Sequence, residues 1–317
     1  MQAQPDLPIL LIVGPTAGGK TSFSVELAKR LPGGGECINA DSMQVYRDMD
    51  IGTAKPTMDE RDGVAHHLLD IADPAESGFT VASWLQHASA AIEDVRERGH
   101  WPIVVGGTNL YVRSLLEGVF DGPAADPDVR AALEALSPGE LRKRLLEVDP
   151  SAAERIHEND RRRSVRAIEV AMLTGRPISE QQVEWSAAIK GRDDVAMVGL
   201  DWPVELINAR INARVKTMIE SGFLDEVRAL VDADRLGPQA REAVGYRELA
   251  ACLDGECSLE DAVEQIKIRT RRLGKQQRTW LRRLKSVPGG LWISPEGISS
   301  EEFSNLVCGW LDSQGFS

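Results

Sequence analysis

Cysteine is scarce in this 317-residue chain, which holds four scattered cysteines. They are Cys37, Cys252, Cys257 and Cys308, with no CxxC pair and no Cys/His cluster. Zinc sites and secreted disulfide frameworks need closer and more regular spacings. We therefore expect reduced thiols in a cytoplasmic protein and no zinc site.

Long apolar runs are also missing from the start of the chain. Met1–Pro8 carries no basic segment, and the apolar run Ile9–Val13 is short. A membrane-spanning helix needs about 20 apolar residues, and a signal peptide places basic residues before its apolar core. The run predicts a buried strand, and we expect no membrane partner.

Positive charge is in deficit overall, since the formal net charge is −12. This balance excludes non-specific nucleic-acid binding by the whole surface. Two local clusters are nevertheless basic: Arg161–Arg163 with Arg166, and the stretch from Gln265 to Pro295, which contains no Asp or Glu. Each cluster alone could be a solvated helix face, but together they indicate contact with RNA. The second cluster consists of Lys267, Arg269, Arg271, Arg272, Lys275, Arg278, Arg282, Arg283 and Lys285.

Short apolar runs alternate with amphipathic stretches such as Thr21–Leu31 and Thr80–Arg98. This alternation predicts an α/β fold, with a P-loop-type parallel sheet and flanking helices. The expected strands are Ile9–Val13, Glu36–Ala40, His67–Ile71, Pro102–Val105 and Ala196–Leu200.

The strand pattern disappears between Asp121 and Val183, where the chain is charged and helical. We predict an all-helical insertion domain at 121–189, within a core domain made of residues 1–120 and 190–317. The C-terminal region after Pro203 is also mostly helical and ends in the basic helix Ala262–Lys285.

A phosphate-binding loop follows the first strand and opens a helix, with the spacing of a P-loop. It consists of Gly14, Pro15, Thr16, Ala17, Gly18, Gly19, Lys20 and Thr21. Backbone N–H groups of such a loop converge on phosphate oxygens, and the helix N-terminus adds positive potential. Lys20 supplies a charge, and the Thr21 hydroxyl can ligate Mg²⁺. The loop predicts a bound polyphosphate without saying which one.

A phosphoryl-transferring kinase usually adds a carboxylate at another strand end. The strand Pro102–Val105 ends instead in Gly106, Gly107 and Thr108, although Asp70 ends another expected strand. The hypothesis of a phosphoryl-transferring kinase is weakened but stays open.

An acidic turn follows the second strand and contains Asp41. Loops after the strands of an open α/β sheet line the ligand crevice, so Asp41 is expected near the P-loop. A carboxylate there can bind Mg²⁺ indirectly or accept a proton from a nucleophile. The alternative is a structural cap of the turn. The next loop, Asp50–Pro56, contains a Lys and a Thr that suit contact with an anion.

In combination these segments resemble the tRNA dimethylallyltransferase family, also called isopentenyltransferases. The matching segments occur in the family's order and cover roughly residues 9 to 285. They are Gly14–Thr21, Asp41–Arg47, Met49–Pro56, His66–Asp70, Val105–Tyr111, Asp149–Pro150, Arg155–His157, Asn159–Asp160, Arg163–Glu169, Thr174–Gly175, Arg214–Val215, Gly245–Tyr246 and Lys275–Arg282.

The resemblance implies transfer of a dimethylallyl group from its diphosphate to N6 of the adenosine 3′ of the anticodon in tRNA. Asp41 would act as general base, Thr108 would lie beside the reacting centre, and Arg214 would neutralise the leaving diphosphate. The P-loop residues with Arg210 would hold the diphosphate, and Thr21 would face Mg²⁺. Contacts to the tRNA anticodon stem-loop would come from Asp41, Ser42, Met43, Gln44, Arg130, Arg162, Arg163, Arg166, Lys275, Arg278 and Arg282. We expect a monomer.

The chain departs from the family pattern at a few positions. Gly18 replaces a common Ser, and Asn109 stands where a small or apolar residue is frequent. Gly274 and Gln276 occupy positions where Ala and Arg are common, which lowers the helix propensity and charge of the last basic helix. Two further readings remain: a prenyltransferase acting on free adenine nucleotides, and a non-catalytic RNA-binding module. The helical insertion and basic helix argue against the first, and the combination of Lys20, Thr21 and Asp41 against the second.

Overall fold

The computed structural model describes residues 7–76, 79–119, 122–182 and 192–316. A parallel sheet of six strands runs through it in the order β3-β2-β4-β1-β5-β6. The strands are β1 (Ile9–Val13), β2 (Gly35–Ala40), β3 (His66–His67), β4 (Trp101–Gly106), β5 (Val195–Leu200) and β6 (Leu291–Ile293).

Helices cover this sheet and build the insertion. Before β5 they are α1 (Lys20–Arg30), α2 (Met58–Arg61), α3 (Val81–Glu97), α4 (Asn109–Glu117), α5 (Pro127–Glu134), α6 (Pro138–Val148), α7 (Pro150–Arg155) and α8 (Arg161–Thr174). After β5 come α9 (Val204–Glu220), α10 (Phe223–Asp232), α11 (Pro238–Arg241), α12 (Tyr246–Leu253), α13 (Leu259–Lys285) and α14 (Ser300–Ser313).

The chain forms two compact units. One comprises the described parts of Met1–Leu116 and Asp193–Ser317, and the other the described parts of Glu117–Arg192. In the first unit β1 is fully buried along its whole length, as expected for a central strand covered on both faces. Because both faces are apolar, an alternating pattern is absent from this strand, and its short uninterrupted run was the correct signal.

The α/β fold with a parallel sheet is confirmed, but one expected strand is shorter than predicted and one strand was not predicted. The expected strand His67–Ile71 ends at His67, because Leu68 and Asp70 adopt left-handed backbone conformations with φ of 63° and 59°. Strand β6 was not expected, since three residues carry too little pattern to be recognised.

The insertion unit is helical where it is described and has its own apolar core. Leu141 and Leu145 from α6 pack with Val165 and Ile168 from α8. Buried Asp149 caps α7 by accepting from Ala152 N–H, and it also accepts from the backbone and hydroxyl of Ser179. The Asp149 carboxylate therefore accepts from an N–H group that has no partner within the first turn of α7. In the described ranges, no helix has the length and apolar content to cross a bilayer.

Four polar contacts converge on Glu36, which lies in β2 and is 6% exposed. It accepts from Arg98 through two nitrogens at 3.0 and 2.8 Å, and it contacts His67 and His100 at 2.6 Å each. Burial alone raises the pKa of Glu36, but hydrogen bonds from Arg98, His67 and His100 outweigh burial and lower the pKa to about 2.

This cluster predicts an acid-labile contribution to stability. Because the pKa of Glu36 is lower in the folded chain, its contribution is complete above pH 4.5 and is lost as pH falls toward about 2. Glu36→Gln should lower the free energy of unfolding at pH 7 by about 1–3 kcal/mol and flatten its dependence on pH below 4.5. Urea titrations at several pH values measure both effects. The exposed Glu97→Gln is the matched control, and an unchanged pH slope in Glu36→Gln would contradict the assignment.

Candidate active site

Three loops meet at the carboxyl edge of the sheet because the strands that carry them end at the same level. Val13 of β1 pairs with Gly106 of β4, and Gly106 pairs with Ala40 of β2. The P-loop therefore lies next to the Gly107–Thr108 turn, which lies next to Asp41. Such an edge is where ligands of open α/β sheets bind.

The P-loop has the geometry of an anion site. Gly19 has a left-handed backbone with φ of 81°, and α1 begins at Lys20, so the first turn of the helix faces the loop. Lys20 Nζ donates to the carbonyls of Gly14 and Pro15 at 3.1 and 2.9 Å. Burial lowers the pKa of Lys20 to about 8, Asp41 opposes this shift, and Arg214 adds to it. These three charges are therefore close enough to act on one another.

Helix α9 brings a second cation to the P-loop. Arg210 Nε donates to Ala17 C=O at 2.8 Å, and its guanidinium lies over the Trp202 ring at 4.7 Å from the centroid. Trp202 Nε1 in turn donates to Gly18 C=O at 3.0 Å. The expected proximity of Arg210 to the phosphate loop is thus found, with its guanidinium held by a carbonyl and an aromatic ring.

The Asp41 turn is joined to the end of β4. Asp41 Oδ1 accepts from Met43 N–H at 2.9 Å, so one carboxylate oxygen shapes the turn and the capping role considered above is also met. Ser42 N–H donates to Thr108 Oγ1 at 3.0 Å. Asn39 supports the turn by accepting from Asp41 N–H at 3.0 Å. Asp41 and Thr108 therefore share one hydrogen-bonded unit.

A cavity of about 240 Å³ connects the P-loop, the Asp41 turn and Arg214. Its remaining wall is largely apolar, with Met218, Phe223, Ile266 and Leu273 among its residues. Burial lowers the pKa of Arg214, while Asp41 and Glu60 oppose the shift. Arg214 donates to Thr53 C=O at 3.3 Å, which directs it toward the loop that forms one side of the cavity. One cavity thus combines an anion site, a carboxylate and apolar surface.

The loop Asp50–Pro56 is fixed by groups that sequence analysis did not single out. Glu226 of α10 accepts from the N–H groups of Asp50, Ile51 and Gly52 at 2.6–3.1 Å and from Tyr246 Oη at 2.5 Å. A Cβ at Gly52 would lie 2.1 Å from the Phe223 ring, so only glycine fits there. Glu226 follows the loop by more than 170 residues, and nothing in its local sequence indicates this role.

Two expectations about charged residues near this loop are not met. Lys55 does not face an anion site: it is 7% exposed and bonds to Tyr46 C=O and to the carboxylates of Asp50 and Asp70. Asp70 pairs with Lys55 at 2.5 Å and follows the end of β3 by three residues, which weakens the kinase hypothesis further.

Two residues of the Asp41 turn that were expected to contact RNA, Met43 and Gln44, make contacts within the protein. Gln44 Nε2 donates to the carbonyls of Thr53 and Ala54 at 3.1 Å each. Met43 packs against the core and contributes to the cavity wall. Met43 and Gln44 therefore help to shape the side of the cavity next to Asp41.

Arg130 and Arg166 in the insertion unit bind the same buried carboxylate. Arg130 makes two bonds to Glu169 at 2.9 and 3.1 Å, and Arg166 makes one at 2.6 Å. Glu169 is fully buried, and hydrogen bonds from the two arginines lower its pKa against the opposing effect of burial. Arg162 and Arg163 are exposed, whereas Arg161 donates to carbonyls at the end of α5.

The basic residues of helix α13 differ in their exposure. Lys275 and Arg282 are exposed, as expected for contact with an anionic partner. Arg278 is not: its Nε and Nη1 are buried and find no partner in the described residues, and burial lowers its pKa. Gly274 lies beside this guanidinium, and a Cβ there would be in ordinary contact with Arg278 Nη1 at 3.5 Å.

Comparison with known proteins identifies the family of this chain. The IPP transferase family model matches residues 44–284. The tRNA dimethylallyltransferase of Anaeromyxobacter dehalogenans is 47% identical and covers 90% of this chain and 95% of its own length. That of Geobacter metallireducens is 44% identical and covers 97% of this chain and 99% of its own length.

Solved structures agree in fold as well. The tRNA isopentenylpyrophosphate transferase of Bacillus halodurans is 40% identical, covers 98% of both chains and has a TM-score of 0.70. A eukaryotic dimethylallyltransferase acting on tRNA is 29% identical, covers 97% of this chain and 80% of its own, and has a TM-score of 0.81. With these matches spread over nearly the whole length, the chain belongs to the IPP transferase family.

Proposed function

We propose that this enzyme transfers a dimethylallyl group from dimethylallyl diphosphate to N6 of the adenosine 3′ of the anticodon in tRNA. The observation that carries the proposal is the cavity, in which P-loop residues, Asp41, Arg214 and an apolar wall meet. An allylic diphosphate needs both a phosphate site and an apolar surface for its hydrocarbon chain, and this cavity offers the two side by side.

The donor half of the site supports departure of diphosphate. When the allylic C–O bond breaks, negative charge accumulates on the leaving group. Lys20, Arg214, Arg210 and the P-loop amides supply positive charge that is in place before the reaction, which lowers the barrier more than flexible groups in water would. The apolar wall formed by Met218, Phe223 and Leu273 accommodates the hydrocarbon part of the donor.

The acceptor half supports attack by a weakly nucleophilic amine. Asp41 Oδ1 is engaged by Met43 N–H, and its second oxygen is the one that would take the proton from N6 as the C–N bond forms. Thr108 holds the turn through Ser42, so the carboxylate is positioned from the end of β4. A stacked base cannot enter such a cavity, so the target adenosine has to be turned out of the anticodon loop.

Magnesium fits the donor half. The Thr21 hydroxyl stands in the first turn of α1, with no hydrogen-bond partner in the described ranges. A hydroxyl and diphosphate oxygens are hard ligands of the kind Mg²⁺ binds, and the ion usually keeps several waters. Bound there, Mg²⁺ would neutralise part of the diphosphate charge.

The tRNA is expected to contact exposed cations on each unit. Arg162→Ala with Arg163→Ala should weaken tRNA binding and reduce the slope of log K against log salt by up to about 1.5, since two phosphate contacts are lost. Lys143→Ala with Arg144→Ala removes the same charge from α6 of that unit and is the control. Arg161→Ala should instead destabilise the unit, because it removes bonds to the carbonyls of Leu133 and Leu136. An unchanged salt slope in the first variant would place the RNA elsewhere.

A transfer assay tests the function directly. Protein, Mg²⁺ and radiolabelled dimethylallyl diphosphate are incubated with unmodified tRNA, and with AMP or ATP in parallel. We expect label in tRNA, at N6 of the adenosine 3′ of the anticodon. Label in the mononucleotide, or phosphorylation by ATP without prenyl transfer, would overturn the proposal.

A further inference from the structure

Gln277 lies in the middle of α13, is 8% exposed, and has both ends of its side-chain amide engaged. Its Oε1 accepts from Thr16 N–H at 2.8 Å, and its Nε2 donates to Gly107 C=O at 3.0 Å. One partner supplies a donor and the other an acceptor, so the partners themselves define the orientation of the amide.

We propose that Gln277 is a positioning residue that holds the P-loop and the Thr108 turn at a fixed separation. The inference rests on the proposed function. Thr16 belongs to the donor side, whereas Gly107 precedes Thr108, whose hydroxyl accepts from Ser42 N–H on the acceptor side. A single amide therefore connects the loop that holds the leaving group with the Gly107–Thr108 turn, which in turn supports the Asp41 turn through Ser42.

The packing around Gln277 leaves the amide little freedom. A Cβ at Gly107 would lie 2.7 Å from Gln277 Nε2 and 2.9 Å from Gly14 C=O, so α13, the P-loop and the end of β4 approach one another closely. The glutamine side chain both accepts and donates a hydrogen bond through one terminal amide group at neutral pH. Glutamate ionised accepts only, and methionine does neither.

The hydrogen bond between Thr16 and Gln277 also bears on which P-loop amides can bind diphosphate. Because Thr16 N–H already donates to Gln277, it is not one of the amides aimed at the diphosphate. Gln277 instead determines the direction of the loop, and with it that of the remaining amides and Lys20. Preorganised donors stabilise developing charge only when such supporting contacts hold them in place.

The test compares Gln277→Met with Gln276→Met, its exposed neighbour on the same helix. Calorimetric titration with inorganic diphosphate and Mg²⁺ measures the donor side, filter binding measures tRNA, and steady-state kinetics measure kcat and KM. Gln277→Met should weaken diphosphate binding and lower kcat about tenfold each, because two buried partners lose their bonds. Affinity for tRNA should stay within about threefold, and Gln276→Met should match the wild type.

Gln277→Glu tests the role through the pH dependence of kcat/KM, which should not change if Gln277 only stabilises the fold. At pH 8 the carboxylate can accept from Thr16 but cannot donate to Gly107, and it adds negative charge near the diphosphate. The defect in kcat/KM should therefore exceed that of Gln277→Met. It should shrink toward pH 5, because a protonated carboxyl group can donate again.

Two results would overturn the positioning role. One is diphosphate affinity and kcat in Gln277→Met within twofold of the wild type. The other is a parallel loss of diphosphate binding, tRNA binding and folded protein, with no pH-dependent recovery in Gln277→Glu. If diphosphate binding responds as expected but the wild type transfers no label to tRNA, the proposed function fails while the positioning role stands.

Discussion

Replacing Asp41 by Asn is expected to lower the single-turnover rate of dimethylallyl transfer by about 10²–10⁴-fold, the range typical of losing a general base. Asparagine keeps an oxygen that can accept from Met43 N–H, so the turn should persist. The defect should therefore appear in the rate of chemistry, while the affinity for tRNA stays within a few-fold of the wild type. Asp41→Ala removes this turn contact too and should be at least as slow.

The matched control is Asp59→Asn, which removes a carboxylate from exposed positions of α2. It should turn over like the wild type. Quench-flow measurement with saturating tRNA and donor separates chemistry from product release. If Asp41→Asn reacts at the wild-type rate, proton removal from N6 has to be assigned to another group or to water.

Replacing Lys20 by Met should reduce kcat/KM for dimethylallyl diphosphate by about 10²–10³-fold or more, since the positive charge that we propose acts on the leaving group is lost. Its bonds to the carbonyls of Gly14 and Pro15 disappear as well, so the loop should also bind inorganic diphosphate more weakly. Calorimetry on the folded variant measures this loss without requiring turnover.

The pKa of Lys20 gives this prediction a pH signature. The protonated amine is the form that attracts diphosphate, and burial lowers the pKa of Lys20 to about 8 in the free enzyme. In the wild type, kcat/KM for the donor should therefore decline as pH rises through about 8. Lys20→Arg should shift this decline upward, because a guanidinium stays charged throughout that range. A wild-type profile that is flat from pH 7 to 9 would contradict the role of Lys20.

Sequence analysis could predict the parts of the site that follow strands. The P-loop has a characteristic glycine spacing, and Asp41 comes directly after β2, so both were expected at the carboxyl edge. Residues that support them from distant helices could not be found in this way. Gln277 bonds to Thr16 across 261 positions, and no short-range pattern distinguishes it from its exposed neighbour Gln276.

Charge patterns were informative about regions and less so about individual side chains. Both basic clusters lie on helices, but Arg166 shares Glu169 with Arg130, Arg161 binds carbonyls, and two guanidinium nitrogens of Arg278 are buried. An arginine in a one-dimensional sequence looks the same whether it faces solvent or a buried carboxylate, because the partner is set by tertiary packing. Fewer basic residues are therefore exposed to a partner than the number of Lys and Arg in the two clusters suggests.

The strand order β2-β4-β1 fixes the spacing between the two strands that lead into the active-site loops. Asp41 and the P-loop follow strands that are separated by one intervening strand, so their spacing is set at about 9–10 Å by the sheet itself. Helices α9, α10 and α13 instead supply the apolar wall through Met218, Phe223 and Leu273. We therefore expect substitutions in that wall to change the length of the accepted prenyl chain without changing the spacing of the strands that carry the two loops. Donor preference and chemical competence can evolve separately in this architecture.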